Sequence, residues 1–220
     1  MNNNLLQSDS STETASIAVM ILAAGPSSRM GRPKQLLPDN HGQSMLRRAV
    51  ETAFESICRP VVVVIGAHAE QLRDELNGVA VDIVENKEWV EGIGSSVRTG
   101  VEWLAFHYAP VAPAATVEAT VIMLCDQPLI TPEIINRLVQ KYRESGKAIV
   151  ASEYSNTRGV PALFSRHLFA ELMCLGGNEG AKKIIAKYIN EVVCISFSEG
   201  STDIDTPLDY ENFRAGKPRC

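Results

Sequence analysis

The sequence predicts a three-layer α/β fold, a mostly parallel mixed sheet with helices on both faces. Two observations lead to it. Short apolar runs alternate along the chain with amphipathic stretches, the pattern of strand–helix–strand units. Apolar residues make up 45% of the 220 residues and charged residues 21%, which suits one substantial core.

In chain order, the first strand is expected at 17–22 (IAVMIL), and it runs into a loop that begins at Ala24-Gly25. A helix follows over Ser44–Ile57, with the Ser44 hydroxyl placed to cap its free N–H groups. Strands at 60–66 (PVVVVIG) and 79–84 (VAVDIV) flank a helix over Ala69–Leu76. A longer helix over Gly94–Phe106 leads to a Pro/Ala-rich stretch at 108–119, read as a flexible surface connection. The strand at 119–125 (ATVIMLC) stops at Asp126, and Thr131-Pro132-Glu133 starts a helix that reaches Ser145. Strands at 147–152 and 191–197 complete the set. Between them, residues 156–178 hold a short VPALF run and a further helix, read as a hairpin-like excursion from the sheet that walls one side of a pocket.

Composition excludes several classes of function. A formal charge of -5 and a pI near 5.5 leave no basic excess with which to track nucleic acid. Five scattered cysteines without CxxC spacing argue against a disulfide framework or a zinc site and for a reducing, cytoplasmic setting. No apolar run approaches the roughly 20 residues that span a bilayer, so no membrane partner is expected. Residues 1–16 are polar, with no apolar signal core, and read as a disordered leader. The domain is bounded at 17–214, with a tail over 215–220.

The loop after the first strand, AAGPSSRMGRPK, combines small residues with Arg29, Arg32 and Lys34. It is neither a P-loop nor a GxGxxG turn. Small residues nevertheless expose backbone N–H groups, Arg29 can fork onto phosphate oxygens and Lys34 supplies a mobile point charge. An ordinary turn with solvated basic residues is the plain alternative. Asp126 ends a buried strand at the carboxyl edge of the sheet, where ligands bind in folds of this class. A carboxylate facing a phosphate cradle needs a cation between them, and Mg²⁺ suits because it takes few carboxylates and completes its shell with phosphate oxygens and waters. Capping of the next turn is the competing reading for Asp126. In STDIDTPLDY at 201–210, Asp209 is explained by capping at Thr206-Pro207, while Asp203 and Asp205 share one side of an extended segment and could supply a second metal ligand.

Together LAAGPSSRMGRPK, CDQP and DIDTP, with EGIGSSVRTG at 91–100 and RGVPALF at 158–164 in the right order, resemble the nucleotidyltransferases that act on the molybdenum cofactor, in particular their cytidylyltransferase branch. The resemblance runs from about Ile17 to about Phe213. It implies a Rossmann-like nucleotidyltransferase domain of the glycosyltransferase-A type, with a mostly parallel seven-stranded sheet and one antiparallel strand. It implies that Ala23, Ala24 and Gly25 approach the base, with Leu22 also at the nucleotide, that Arg29 and Lys34 hold the triphosphate, and that Asp126 and Asp205 hold Mg²⁺. Arg29, Lys34 and Asp126 are then the catalytic set, and CTP (or GTP) and a phosphorylated pterin are the reactants. No protein nucleophile is required, because such transfers need alignment and charge neutralisation.

Ser95, Ser96 and Arg98 stand at a helix start after Gly94, where an anion is favoured, and are expected at the pterin with Gly159, Pro161 and Asn178. Simple capping is the alternative. Where the family often has Gly-Asp-x-Gly-Ala-Arg, this chain has Gly177-Asn178-Glu179-Gly180-Ala181-Lys182, which loses a carboxylate and exchanges a guanidinium for an ammonium. Ala24 replaces a glycine typical of the guanylyl branch, and its methyl is expected to favour a smaller pyrimidine base. A sugar or alcohol phosphate is the alternative acceptor, and a non-catalytic binding protein the third reading. A hand-over of product to a molybdoenzyme or its chaperone is compatible with the first. Cys125 is read as packing, and the four separated histidines as surface or locally bonded residues.

Overall fold

The computed structural model describes residues 16–108 and 116–216. The proposed leader up to residue 15, the middle of the Pro/Ala-rich connection and the end of the tail lie outside the described residues.

Seven strands form one sheet in the order β3-β2-β1-β4-β6-β5-β7. They are β1 (Ser16–Leu22), β2 (Val61–Ile65), β3 (Asp82–Glu85), β4 (Val117–Leu124), β5 (Ile149–Tyr154), β6 (Thr157–Ser165) and β7 (Val192–Ser196). All neighbours are parallel except where β6 lies antiparallel between β4 and β5. Ser16, expected in the leader, already pairs with β4 and opens β1.

Strand alternation divides the core in two. Ile17, Val19 and Ile21 of β1 face α1 (Met45–Glu55), α2 (Ala69–Glu75) and α4 (Pro132–Ser145), through Leu46, Val50, Leu72, Ile135 and Leu138. Ala18, Met20 and Leu22 face α3 (Ile93–His107), α5 (Phe169–Met173) and α6 (Ala181–Lys187), through Val97, Val101, Leu172 and Ile184. The three layers expected from the alternation of apolar runs are therefore present. A last helix, α7 (Pro207–Arg214), packs Tyr210 with Met30 and Leu37 beneath the first loop.

Local chemistry sets the helix ends. The Ser44 Oγ accepts a hydrogen bond from the Arg47 N–H at 3.1 Å and starts α1. Thr206 and Asp209 form a reciprocal cap on α7, as expected for Asp209. Gly146, at φ 63°, closes α4 in the left-handed conformation that glycine adopts without strain.

The VPALF segment corrects the sequence reading. It is not an excursion from the sheet but belongs to β6, buried between two strands. The hairpin itself is real: Ser155 and Asn156 both have positive φ and make the two-residue turn that joins β5 to β6. A run of five residues concealed a strand of nine because Thr157 and Arg158, at its exposed start, carry no apolar signal. Its direction has a functional consequence: the register Ile122↔Ala162 sends Gly159 and Pro161 toward the edge where β4 ends.

Helix α3 crosses the sheet closely at Gly100, where a Cβ would stand 2.8 Å from the Val64 Cγ2 and nearer still to the Met20 sulfur. Gly100→Val should destabilise the fold by about 1–3 kcal/mol through overpacking, read as a lowered urea midpoint with an unchanged m-value.

Candidate active site

The strand order reverses between β1 and β4: the chain moves outward from β1 to β2 and β3, then returns to the other side. Such a switch point opens a crevice beyond the carboxyl ends of the two strands. Here it is a cleft of about 220 Å³, floored by Leu22–Pro26 after β1 and Leu124–Asp126 at the end of β4. Trp89, Gly92, Ile93 and Ser96 form the opposite wall.

The loop after β1 is shaped from inside by Gln35, which is 1% exposed. Its Nε2 donates to the carbonyls of Ala23 at 2.9 Å and Gly25 at 2.8 Å. Its Oε1 accepts from the Ser27 hydroxyl, whose oxygen in turn accepts the Lys34 backbone N–H at 3.0 Å. One buried amide thus orients the stretch from Ala23 to Lys34. The far side of the loop is held by β2, through Ala23 N–H to the Val64 carbonyl and Ala67 N–H to the Ala24 carbonyl. Gly66 permits this contact, because a Cβ there would lie 2.8 Å from the Cβ atoms of both Ala24 and Trp89. The Ala24 methyl, expected to crowd a base, is therefore packed toward Gly66, and the residue is only 4% exposed.

Charge gathers at one end of the cleft. The Lys34 ammonium lies between two carboxylates, in a very short contact with Asp126 Oδ2 and 2.8 Å from Asp205 Oδ1. Arg29 Nη2 meets the other Asp205 oxygen at 2.9 Å, with its own side chain 69% exposed toward solvent. Asp205 reaches the cluster because the segment after β7 returns to β4, with the Ile204 N–H bonded to the Asp126 carbonyl at 2.9 Å. Gln127 Nε2 adds a bond to the Gly200 carbonyl at 3.0 Å. Burial alone would lower the Lys34 pKa, but the Asp126 charge and hydrogen bonds to both acids outweigh it and hold the ammonium above its ordinary value. Burial opposes ionisation of Asp205 too, yet hydrogen bonds and charge from Lys34 and Arg29 keep its carboxyl below the usual range.

Asp126 Oδ1 is buried and has no hydrogen-bond partner. A carboxylate oxygen left in this state is satisfied by a cation, and Asp126 with Asp205 offers the hard oxygen donors that Mg²⁺ or Mn²⁺ prefers. Among the described residues no group of three or more acidic, histidine or cysteine side chains forms a protein-only metal cage. A pair of carboxylates suits a cation that shares its shell with substrate phosphates.

The expected acceptor residues divide. Ser96 lines the cleft. Ser95 is 1% exposed, accepts from Asn86 Nδ2 and points its hydroxyl at the Glu88 and Gly92 carbonyls. Arg98 differs from the expectation of a second phosphate site: its guanidinium donates to the Leu175 carbonyl at 2.6 Å and to Glu91 at 2.5 Å, with Glu88 at 3.5 Å. Two acidic residues from the turn before α3 claim the charge first, so it braces the cleft wall. Asn178 sits against Gly92, where a Cβ would meet its Oδ1 at 2.4 Å. Gly159 gives room to the Tyr154 hydroxyl and the Lys182 stem, which a Cβ would strike at 2.4 and 2.9 Å. The Pro161 carbonyl accepts from Ser152 Oγ at 2.6 Å. Cys125 is fully buried and its thiol is pushed up by burial, so it remains neutral packing. Cys58, Cys125, Cys174 and Cys194 are all free.

A family model described as the MobA-like NTP transferase domain matches residues 19–192. The chain belongs to that family. This MobA-like nucleotidyltransferase is 31% identical over 206 residues to "Nicotine blue oxidoreductase" of Paenarthrobacter nicotinovorans, covering 89% of the chain and 95% of the relative. It is 25% identical over 197 residues to "Molybdenum cofactor cytidylyltransferase" of Escherichia coli strain K12, covering 89% and 94%. Among solved structures, Rv0371c of Mycobacterium tuberculosis H37Rv superposes with a TM-score of 0.75 at 28% identity, over 91% of this chain and 98% of that one. A second structure of Rv0371c, at 26% identity and a TM-score of 0.73 over 91% and 99%, is a complex with manganese. Among the described residues no helix of the nucleotidyltransferase is long and apolar enough to cross a membrane.

Gln35, Trp89, Ile93 and Leu124 were not singled out in the sequence. Gln35 gave a weak signal, a polar residue between Lys34 and the apolar pair Leu36-Leu37; Trp89 gave none beyond its size.

Gln35→Leu strands the Ala23 and Gly25 carbonyls and should cost about 1–3 kcal/mol in urea unfolding while raising KM for the nucleotide. Asp205, with a lowered pKa, contributes stability in full above its ordinary 3.8 and loses it as pH falls through the folded value. Asp205→Asn should therefore flatten the loss of stability below that pH, measured by urea midpoints at several acidic pH values.

Proposed function

We propose that the protein transfers the cytidylyl group of CTP to the terminal phosphate of a molybdopterin, with release of pyrophosphate. One observation carries the reading: Lys34 and Arg29 converge with Asp126 and Asp205 at the charged end of a cleft whose other lining, with Leu22, Trp89 and Ile93, is largely apolar. Two cations suit a polyphosphate, and two carboxylates with an unsatisfied oxygen suit a divalent metal. The choice of CTP over GTP is supported by the likeness to the Escherichia coli cytidylyltransferase.

In this mechanism the base lies against Leu22, Ala23, Ala24 and Gly25, with Trp89 and Ile93 across the cleft. Arg29 and Lys34 turn toward the triphosphate and neutralise charge as it moves onto the departing pyrophosphate. Asp126 and Asp205 would hold Mg²⁺, which supplies Lewis-acid neutralisation and alignment of phosphate oxygens when bound. The acceptor enters along the edge made by Asp126, Gly159 and Pro161, with Ser96 and Asn178 on the facing wall. An oxygen of its phosphate forms the new bond to the α-phosphorus as the bond from that phosphorus to the bridging oxygen breaks, and the pair of electrons leaves with pyrophosphate. No side chain is acylated or phosphorylated. Nothing in this reading needs nucleic acid or a membrane, and its reactants belong to the cytoplasm; the product would pass to a molybdoenzyme or its chaperone.

A second reading is favoured by the Paenarthrobacter nicotinovorans relative, which is named as an oxidoreductase and matches nearly the whole chain. On that reading the cleft would hold a redox substrate in place of a triphosphate.

The two readings separate in one assay set. Purified protein with Mg²⁺ should release pyrophosphate with CTP and molybdopterin, and not with CTP alone. Asp126→Ala should lower this turnover at least about 100-fold, as expected for loss of a group that organises transition-state charge. GTP turnover would move the assignment to guanylyl transfer, a sugar or alcohol phosphate as acceptor would change the substrate class, and reduction of nicotine blue with no pyrophosphate release would favour the second reading.

A further inference from the structure

We infer that Lys34 is the resident counter-ion of the metal position, so that the divalent cation enters only together with the triphosphate that draws Lys34 away. The inference deepens the proposed function and rests on its assignment of Asp126 and Asp205 to a metal.

The geometry argues it. Lys34 and Arg29 already engage three of the four carboxylate oxygens, leaving only Asp126 Oδ1. In formal charge, two carboxylates are balanced by one ammonium and one guanidinium. A divalent cation added to this set would leave it two charges in excess, and it would have to approach an ammonium wedged between its own ligands. Both charges are poorly screened, since the side chains of Lys34 and Asp126 are only 15% and 13% exposed. The bare protein should therefore hold Mg²⁺ or Mn²⁺ weakly.

A triphosphate reverses the balance. It brings several negative charges to the same end of the cleft and offers both basic side chains new oxygen partners. Lys34 sits at the start of a short 3-10 turn, Lys34–Leu36, whose backbone is held by Ser27 and Gln35, so its long side chain can swing without moving its anchor. Arg29 is largely exposed and free to follow. Once the ammonium leaves, Asp126 and Asp205 are uncompensated and the cation takes its place. Metal and nucleotide are then coupled ligands, each raising the other's affinity by the same factor. The same exchange keeps the carboxylates neutralised when no substrate is present, so the cluster is stable in both states.

The test measures Mn²⁺ binding without nucleotide, by loss of the free-ion electron paramagnetic resonance signal. Lys34→Met should bind Mn²⁺ on the order of tenfold more tightly than the unaltered protein. That gain should vanish when Asp126→Asn is added. Lys34→Gln, which keeps one hydrogen-bond donor, is measured beside it and should show a smaller gain, and thermal unfolding confirms that each variant is folded. The unaltered protein gives an independent arm: saturating non-hydrolysable CTP analogue should increase the Mn²⁺ bound in an Asp126-dependent way. Equal Mn²⁺ affinity in the unaltered protein and both Lys34 variants would overturn the inference. If CTP-dependent pyrophosphate release persists in that case, the proposed function stands without it. Absence of any Asp126-dependent Mn²⁺ binding, with or without the analogue, would overturn the metal assignment and the inference together.

Discussion

The site depends on one electrostatic contact, an ammonium held between two carboxylates that arrive from distant parts of the chain. Lys34 comes from the loop after β1, Asp126 from the end of β4 and Asp205 from the segment beyond β7. Asp126, only 13% exposed, would not be stable at this depth without the cation, because a buried carboxylate lacking a partner pays a large desolvation penalty, whereas Asp205 is more open and has Arg29 as a second partner. The contact therefore closes the carboxyl edge of the sheet while it assembles the charges that a nucleotide needs. Structure and chemistry share one set of atoms.

Around that contact the backbone is arranged by close approach. Gly66 lets the first loop and Trp89 meet over β2, and Gly92 and Gly94 let the start of α3 lie against Gly176 and Gly177. Arg98 then joins the two walls through Leu175, Glu91 and Glu88. The cleft has its width because several residues have no side chain, and its rigidity because one arginine has three partners.

Much of this was legible in the sequence, for physical reasons. Six of the seven strands announce themselves as apolar runs, because strands covered on both faces have no polar side to show. Asp126 stood out because it ends an apolar run, Lys34 because it lies with other cations in a loop of small residues, and Asp205 because it shares one side of an extended segment with Asp203. What stayed hidden depends on contacts across the fold. The antiparallel course of β6 follows from its neighbours and not from its composition. Gln35 looks like any surface glutamine until the loop closes over it. Arg98 looked like an anion site because its competitors Glu91 and Glu88, although near in sequence, take the guanidinium only when the loop before α3 folds back. The Ala24 methyl was read as facing a base, but its direction toward Gly66 is a property of the packed structure.

The place of β6 has a consequence for how the enzyme comes into being. It is the strand that joins the early half of the sheet to the late half, since β4 touches β5 only through it. As the chain emerges from synthesis, the first four strands and the loop after β1 can associate, yet their open edge at β4 remains a row of unpaired peptide groups until β6 is made. Asp126 stands at the end of that edge, and Asp205 arrives later still. Folding is governed by long-range pairings and completes near the end of the chain. The charge cluster is thus the last part of the site to be completed, and any chain that stops short of its final strand carries Lys34 and Arg29 facing a single acid.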